Sequence, residues 1–240
     1  FDAGATPVVT ETARYIGERF QLDKGQLILA ASTHAPEERV ILETFKQLRV
    51  NSPGIRLMIA PRHPERFNEV ATLITKAGFN YSRRSYTPSS SDTESDVLLL
   101  DSIGELQSLY SLATIVFVGG SIANTGGHNI LEPAAVGSCV VTGAHTHNFQ
   151  AIVETFVKAD AIVQLPHLPE SEAASELART ISELLENPEL RETIGSRARN
   201  LVNQNRGATR RTVEFLTPLL PFSTPLKEND YVRVRHAPKP

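Results

Sequence analysis

Residues 117–136, FVGGSIANTGGHNILEPAAV, place four glycines, His128, Asn129 and Glu132 between two apolar runs. The pattern predicts a strand, a glycine loop, and a helix beginning near Asn129. Free backbone N–H groups and the dipole at such a helix start suit an anion. Gly126 and Gly127 would remove side chains where a phosphate approaches. Glu132, in the first turn, could accept two hydrogen bonds from the vicinal hydroxyls of a ribose, so one helix end could hold both parts of a nucleotide. The plainer reading is a tight turn that needs glycine for packing, followed by an acidic residue of the kind first turns favour.

Other chemistries fail on spacing. His128 stands where a P-loop needs lysine, and no G-x-G-x-x-G occurs. Ser121 follows two glycines, but Ala123 replaces the second glycine of a G-x-S-x-G nucleophile elbow. The HTH at 145–147 invites a metal, yet there is no H-E-x-x-H and no cysteine pair, so no metal site is expected.

Two further segments carry candidate groups. In APRHPERF (60–67), Arg62 can form two parallel bonds to a phosphate while Pro61 and Pro64 fix the backbone around it. The competing role for Arg62 is an ion pair with Glu65 or Glu69. In DSIGEL (101–106), Ser102 or Asp101 is expected to cap a helix with Glu105 completing a capping box, and that helix start could offer backbone groups to a base.

These residues need a frame. Continuously apolar runs at 26–32, 55–61, 96–101, 113–120, 139–143 and 161–165 read as strands covered on both faces. Amphipathic segments at 36–50, 64–77, 102–112, 129–136 and 148–158 alternate with them, which predicts a doubly wound parallel α/β sheet. A polar loop is expected at 83–95. Helical patterns then fill 170–186, 188–204 and 207–220, with ENPEL breaking the first from the second. The tail from Pro221 reads as an extension. Each polar cluster lies after a strand, at the edge where open parallel sheets bind ligands, and five of the seven histidines share that edge.

Composition narrows the partners. With 24 Lys and Arg against 27 Asp and Glu, a net charge of −3 and no basic stripe, nucleic acid is not an expected partner. The single cysteine, Cys139, is expected to be buried and inert. No apolar run near 18 residues is present, and the opening FDAGATP reads like the interior of a longer protein.

Together, STHAPEE, PRHPERF, DSIGELQSLYSLATIVFVGGS, GGHNILEPAAVG and HTHNF resemble the 3-deoxy-D-manno-octulosonic acid (Kdo) transferases of lipopolysaccharide synthesis, from Phe1 to about Leu216. The resemblance implies the GT-B architecture, two Rossmann-like domains facing each other across a cleft. This chain resembles the C-terminal half, with residues 1–220 binding the donor CMP-Kdo, 170–220 a helical closing segment, and 221–240 an extension. It further implies transfer of Kdo to a lipid A precursor, lipid IVA, at the cytoplasmic face of the inner membrane, with neither cofactor nor essential metal. The partners implied are the donor, the acceptor held by an N-terminal domain, and a peripheral membrane surface.

By matching motif, Arg62 and His63 would lie at the nucleotide. Ile103, Gly104 and Glu105 would touch CMP through backbone, and Asn129, Ile130, Leu131 and Glu132 would hold phosphate and ribose. Ser121, Gly126, Gly127 and His128 are candidate loop contacts. Ile103 stands where methionine is commoner in the family, and His147 where phenylalanine is. The family's catalytic glutamate belongs to the N-terminal domain and its supporting lysine directly precedes the position of Phe1, so no catalytic residue is expected in this chain. The 240 residues alone are therefore expected to bind CMP without transferring sugar. The alternatives are a UDP-sugar-dependent GT-B domain and a non-catalytic nucleotide-binding module.

Overall fold

A computed structural model describes residues 10–22 and 25–219. Among the described residues, seven strands, β1 (Leu27–Thr33), β2 (Arg56–Pro61), β3 (Tyr81–Arg83), β4 (Val97–Leu99), β5 (Ile115–Val118), β6 (Cys139–Thr142) and β7 (Val163–Gln164), form one sheet in the order β3-β4-β2-β1-β5-β6-β7. Every pairing is parallel. The apolar runs are continuous because both faces are covered. Leu27, Leu29 and Ala31 point into one core cluster, whereas Ile28 and Ala30 point into the other, and β2, β4, β5 and β6 alternate in the same way.

Helices α1 (Glu11–Phe20), α5 (Leu131–Val136) and α6 (Gln150–Lys158) bury their apolar sides in the first cluster. Helices α2 (Glu37–Asn51), α3 (Phe67–Lys76) and α7 (Glu170–Glu186) do so in the second. The short α4 (Leu106–Leu109) ends in a 3-10 turn, Tyr110–Leu112. Helix α8 (Pro188–Asn205) supplies Ala198 and Val202 to one cluster and Ile194 to the other, and α9 (Ala208–Leu216) follows it. Asn187 ends α7 and caps α8, its Oδ1 accepting the Leu190 N–H at 3.0 Å, so ENPEL is the break its sequence predicts.

Two elements are additions to the sequence-based frame. Helix α1 is capped by Thr10, whose Oγ1 accepts the Ala13 N–H at 3.1 Å, and buries Ala13, Ile16 and Phe20. Strand β3 enters the stretch read as loop: it pairs Tyr81 to Arg83 with Val97 to Leu99, and a 3-10 turn at Ser90–Glu94 follows. Cys139 is buried and its thiol is pushed up to about 12 by that burial, as an inert core thiol requires. The tail from Pro221 lies outside the described residues, as do residues 1–9.

Strand order reverses between β1 and β5: from β1 the chain builds outward through β2, then crosses to β5 on the other side. A crevice opens at such a switch point, at the carboxyl ends of the strands. There β1 carries a bulge, with Ser32 at φ 54° between Ala31 and Thr33. Across the bulge the Gly119 N–H donates to the Ala31 carbonyl at 2.8 Å, and the Arg62 N–H donates to the Thr33 carbonyl at 3.0 Å. The bulge therefore ties the ends of β2 and β5 to one strand, with His34 between them.

Candidate functional site

The glycine loop after β5 lies against a carboxylate. Glu37, fully buried at the start of α2, accepts the N–H groups of Ser121, Ile122 and Ala123 on Oε1 at 2.8, 2.8 and 3.2 Å. Its Oε2 accepts those of Gly120 and His34 at 2.8 and 3.0 Å. A Cβ on Gly119 would stand 2.7 Å from the Ser32 carbonyl and 2.8 Å from Glu37 Oε2, so the close approach demands glycine there. Burial pushes the Glu37 carboxyl upward and the backbone donors pull it back. All five partners are donors, so the anion is the form that satisfies them. This nest of amides, the arrangement that elsewhere holds phosphate, is filled from within.

Beside Glu37, Glu38 is buried as well. It accepts two bonds from Arg66, at 2.7 and 3.2 Å, and one from the Thr33 hydroxyl at 2.8 Å. Arg66 also pairs with Glu69, while Glu65 lies 3.7 Å from His63 Nδ1. Both carboxylates proposed for Arg62 are thus engaged by neighbours. Arg62 is exposed, and its guanidinium has no hydrogen bond or ion pair among the described residues.

Three imidazoles join the loops around Arg62. The His63 ring meets the His34 ring edge-on with centroids 5.0 Å apart, and His34 stacks on His128 at 5.0 Å and 13°. The Nε2 atoms of His34 and His128 are 2.8 Å apart, within one hydrogen bond. Burial, then the neighbouring His63, lowers the His34 pKa; burial, then His34, pushes that of His128 down to about 4. Both rings are neutral at pH 7. Among the described residues, no three His, Cys, Asp or Glu side chains converge as a metal site would require. His34 was not among the candidates the sequence singled out. Its signals there are its place directly after a strand and its position within STHAPEE.

The segment expected to start a helix at Asn129 enters α5 two residues later. Asn129 Oδ1 accepts the Leu131 N–H at 3.0 Å and its Nδ2 donates to Glu132 Oε1 at 3.2 Å, a side-chain turn that delays the helix. The N–H groups of Asn129 and Glu132 find no acceptor among the described residues, so they remain available at the half-buried mouth of the turn. Ile130 and Leu131 are buried, and the Leu131 N–H is already taken by Asn129. The space expected over Gly126 is occupied: a Cβ there would stand 2.2 Å from Asn148 Nδ2 and 2.7 Å from His147 Nε2. Gly127 likewise faces the His145 and Thr146 backbone at 3.3 Å. Packing against the 143–149 loop accounts for both glycines. Ser121 is buried too, its hydroxyl donating to Val118 O at 2.6 Å and accepting the Gly143 N–H at 2.8 Å.

The third segment also departs from its sequence reading. No capping box forms at 101–105: Glu105 is itself the residue before α4, and its carboxylate is held by Ser102 Oγ and by Arg84 at 2.8 Å. Asp101 is taken by Arg83 and Ser85. Ile103 is 81% exposed and Gly104 adopts φ 85°, so this turn presents main chain to solvent. Burial, and then the charge of Glu132, raise the phenol pKa of Tyr110. Further along the edge, His145 and His167 meet edge-on at 4.8 Å in a separate cavity of about 340 Å³ at the ends of β6 and β7.

An all-parallel sheet with helices on both faces and its open polar edge at the strands' carboxyl ends has the architecture of the C-terminal domain of a GT-B glycosyltransferase. Similarity to a solved structure, the C-terminal CMP-Kdo binding domain of WaaA from Acinetobacter baumannii, extends over 81% of this chain and 97% of that one, at 34% identity and a TM-score of 0.73. The chain belongs to the 3-deoxy-D-manno-octulosonic acid transferase family. It is 40% identical over 192 residues to the family member of Haemophilus influenzae and 35% identical over 193 residues to that of Bordetella pertussis. These alignments span 80% and 79% of this chain and 44% of each relative, so the chain corresponds to under half of their length. Anabaena HepE in complex with UDP and glucose shares the fold at 16% identity and a TM-score of 0.62, over 86% of this chain and 52% of that one. No protein-family model matches the chain.

Proposed function

We propose that this chain is the donor-binding half of a Kdo transferase, which holds CMP-Kdo at the carboxyl edge of the sheet for transfer to a lipid A precursor, lipid IVA, at the cytoplasmic face of the bacterial inner membrane. The observation that carries the reading is the continuity of the edge. Arg62 and His63 reach Asn129 through the stacked rings of His34 and His128, which makes one surface of the two loops proposed for the phosphate.

In this reading the free guanidinium of Arg62 and the open amides of Asn129 and Glu132 bind the phosphate, Ile130 and Leu131 set the turn that presents them, and the Glu132 carboxylate accepts the ribose hydroxyls. The exposed main chain of Ile103 and Gly104, with half-buried Glu105 beside it, serves the base. His63 lines the phosphate side, and His128 is the loop residue that reaches the ligand. Ser121, Gly126 and Gly127 shape the loop by packing instead of touching ligand. During transfer the acceptor oxygen bonds to the anomeric carbon, the bond from that carbon to the phosphate oxygen breaks, and its electron pair leaves with CMP. Arg62 and the amides stabilise the charge that develops there, a preorganised role. The acceptor proton goes to a base that this reading assigns outside the 240 residues, together with the acceptor site and the membrane contact.

Calorimetry with CMP, UMP and UDP tests the proposal. Binding of CMP in preference to the uridine nucleotides is expected; tighter binding of UDP would replace it with a UDP-sugar enzyme.

A further inference from the structure

We infer that His34 and His128 form an anion subsite of the donor, bridging the switch point, and that they take up a proton when the donor's anionic group enters. The inference rests on the nucleotide-sugar reading above and assigns a binding role to His34, which that reading leaves without one.

Position comes first. His34 follows β1 and His128 follows β5, the two strands between which the sheet order reverses, so their hydrogen bond spans the crevice where an open parallel sheet receives its ligand. Both are held by rigid surroundings. The His34 N–H is fixed on Glu37, and His128 packs on Gly120, where a Cβ would stand 2.9 Å from its ring.

The hydrogen-bond inventory then decides what the pair can do. With both rings neutral, one Nε2 donates and the other accepts, so the two nitrogens satisfy each other and neither offers an N–H to an anion. A proton added to the accepting Nε2 leaves both Nε2 atoms with hydrogens, whereas one added to Nδ1 of the donating ring leaves their bond in place. In the first form the pair opens, and both N–H groups turn to an external acceptor. An anion in the crevice is such an acceptor and lowers the cost of the charge.

The surrounding charges make this response steep. Arg62, His63 and Arg66, all following β2, face the pair and disfavour a further positive charge. Helix α2 contributes Glu38, whose carboxylate is committed to Arg66 and Thr33, and Glu37, committed to the loop amides. The β5–α5 loop brings no charged side chain before Glu132. The empty pair is therefore held neutral by burial first and by its cationic neighbours second, and a phosphate or carboxylate placed among them offsets the second of these. Both groups are anionic oxygens, and a CMP-linked ulosonic acid carries each.

Proton exchange on binding can be measured by calorimetry of the 240-residue chain near pH 7 in buffers of different ionisation enthalpy, with cytidine, CMP and CMP-Kdo as ligands. Cytidine should bind without proton exchange. Uptake of a large fraction of one proton is expected with CMP-Kdo, whose phosphodiester has no ionisation near pH 7 to offset it; with CMP the uptake is read net of the proton its monoester releases. The sign is diagnostic, because a nucleotide phosphate drawn toward Arg62 would release protons, not gain them. His34→Gln and His128→Asn should each abolish the uptake, with retained thermal unfolding as the control for folding. Binding of CMP and CMP-Kdo with no uptake, or uptake that survives both substitutions, overturns the subsite and leaves the nucleotide reading standing. Failure of both nucleotides to bind overturns the two together.

Discussion

The Glu37 carboxylate accepts the backbone N–H of Ser121 at 2.8 Å across 84 residues of sequence, and four more amides converge on the same group. A carboxylate from the start of α2 thus sets the shape of the β5–α5 loop. Through the His34 N–H, the same contact fixes where the histidine pair begins.

Glu37→Ala leaves those buried donors without an acceptor. Each unsatisfied buried donor costs about 1–3 kcal/mol, so even partial relief by entering water leaves a loss of at least about 3 kcal/mol. Urea unfolding of the variant measures it. A change below about 1 kcal/mol would mean that the loop does not depend on this group.

Gly119→Ala and Gly104→Ala separate two uses of glycine. At Gly119 a methyl would meet the Ser32 carbonyl, Glu37 and the Thr33 backbone, none of which can yield without moving the site, so both stability and CMP affinity should fall. At Gly104 nothing lies within 4 Å, and the cost is conformational, about 1–2 kcal/mol for the left-handed backbone. Thermal unfolding and CMP titration of the two variants should therefore differ in pattern: large losses of both for the first, and a modest stability loss with a smaller loss of CMP affinity for the second.

Arg62→Ala and Glu132→Ala address ligand, not fold. Arg62 has no partner to lose among the described residues, so its removal should change stability by less than about 0.5 kcal/mol. A charged hydrogen bond is worth about 1.5–3 kcal/mol, so each variant should weaken CMP by about ten-fold or more. Glu132→Ala should additionally lose discrimination between CMP and its 2′-deoxy form. Unchanged affinity in a folded variant removes that residue from the site.

The imidazoles also predict a pH dependence of the unliganded fold. His34 and His128 have pKa values lowered by burial first, that of His128 to about 4, so between the ordinary histidine range and about pH 4 the unfolded chain binds more protons than the folded one. Stability should be complete above the ordinary histidine pKa and decline as pH falls toward 4. His128→Asn should flatten part of that decline in denaturant midpoints measured from pH 7 to 4; an unchanged slope would contradict the assignment.

The alternation of apolar strands and amphipathic helices was legible along the chain because each strand is covered on both faces and each longer helix has one buried side. Chain order alone also placed Arg62, His128 and Glu132 at one edge, since parallel strands bring every following loop to the same end. Local competition hid the details: Asn129 delays α5 with its own side chain, Glu105 is drawn to Arg84, and β3 is only three residues whose identity as a strand exists through pairing with Val97–Leu99. Only the tertiary structure decided that β5 lies beside β1, which sets His34 against His128 and fills the glycine loop with Glu37. Those contacts join groups 83 to 94 residues apart, and no local pattern encodes them, because what selects them is the need to satisfy buried amides and a buried charge at once.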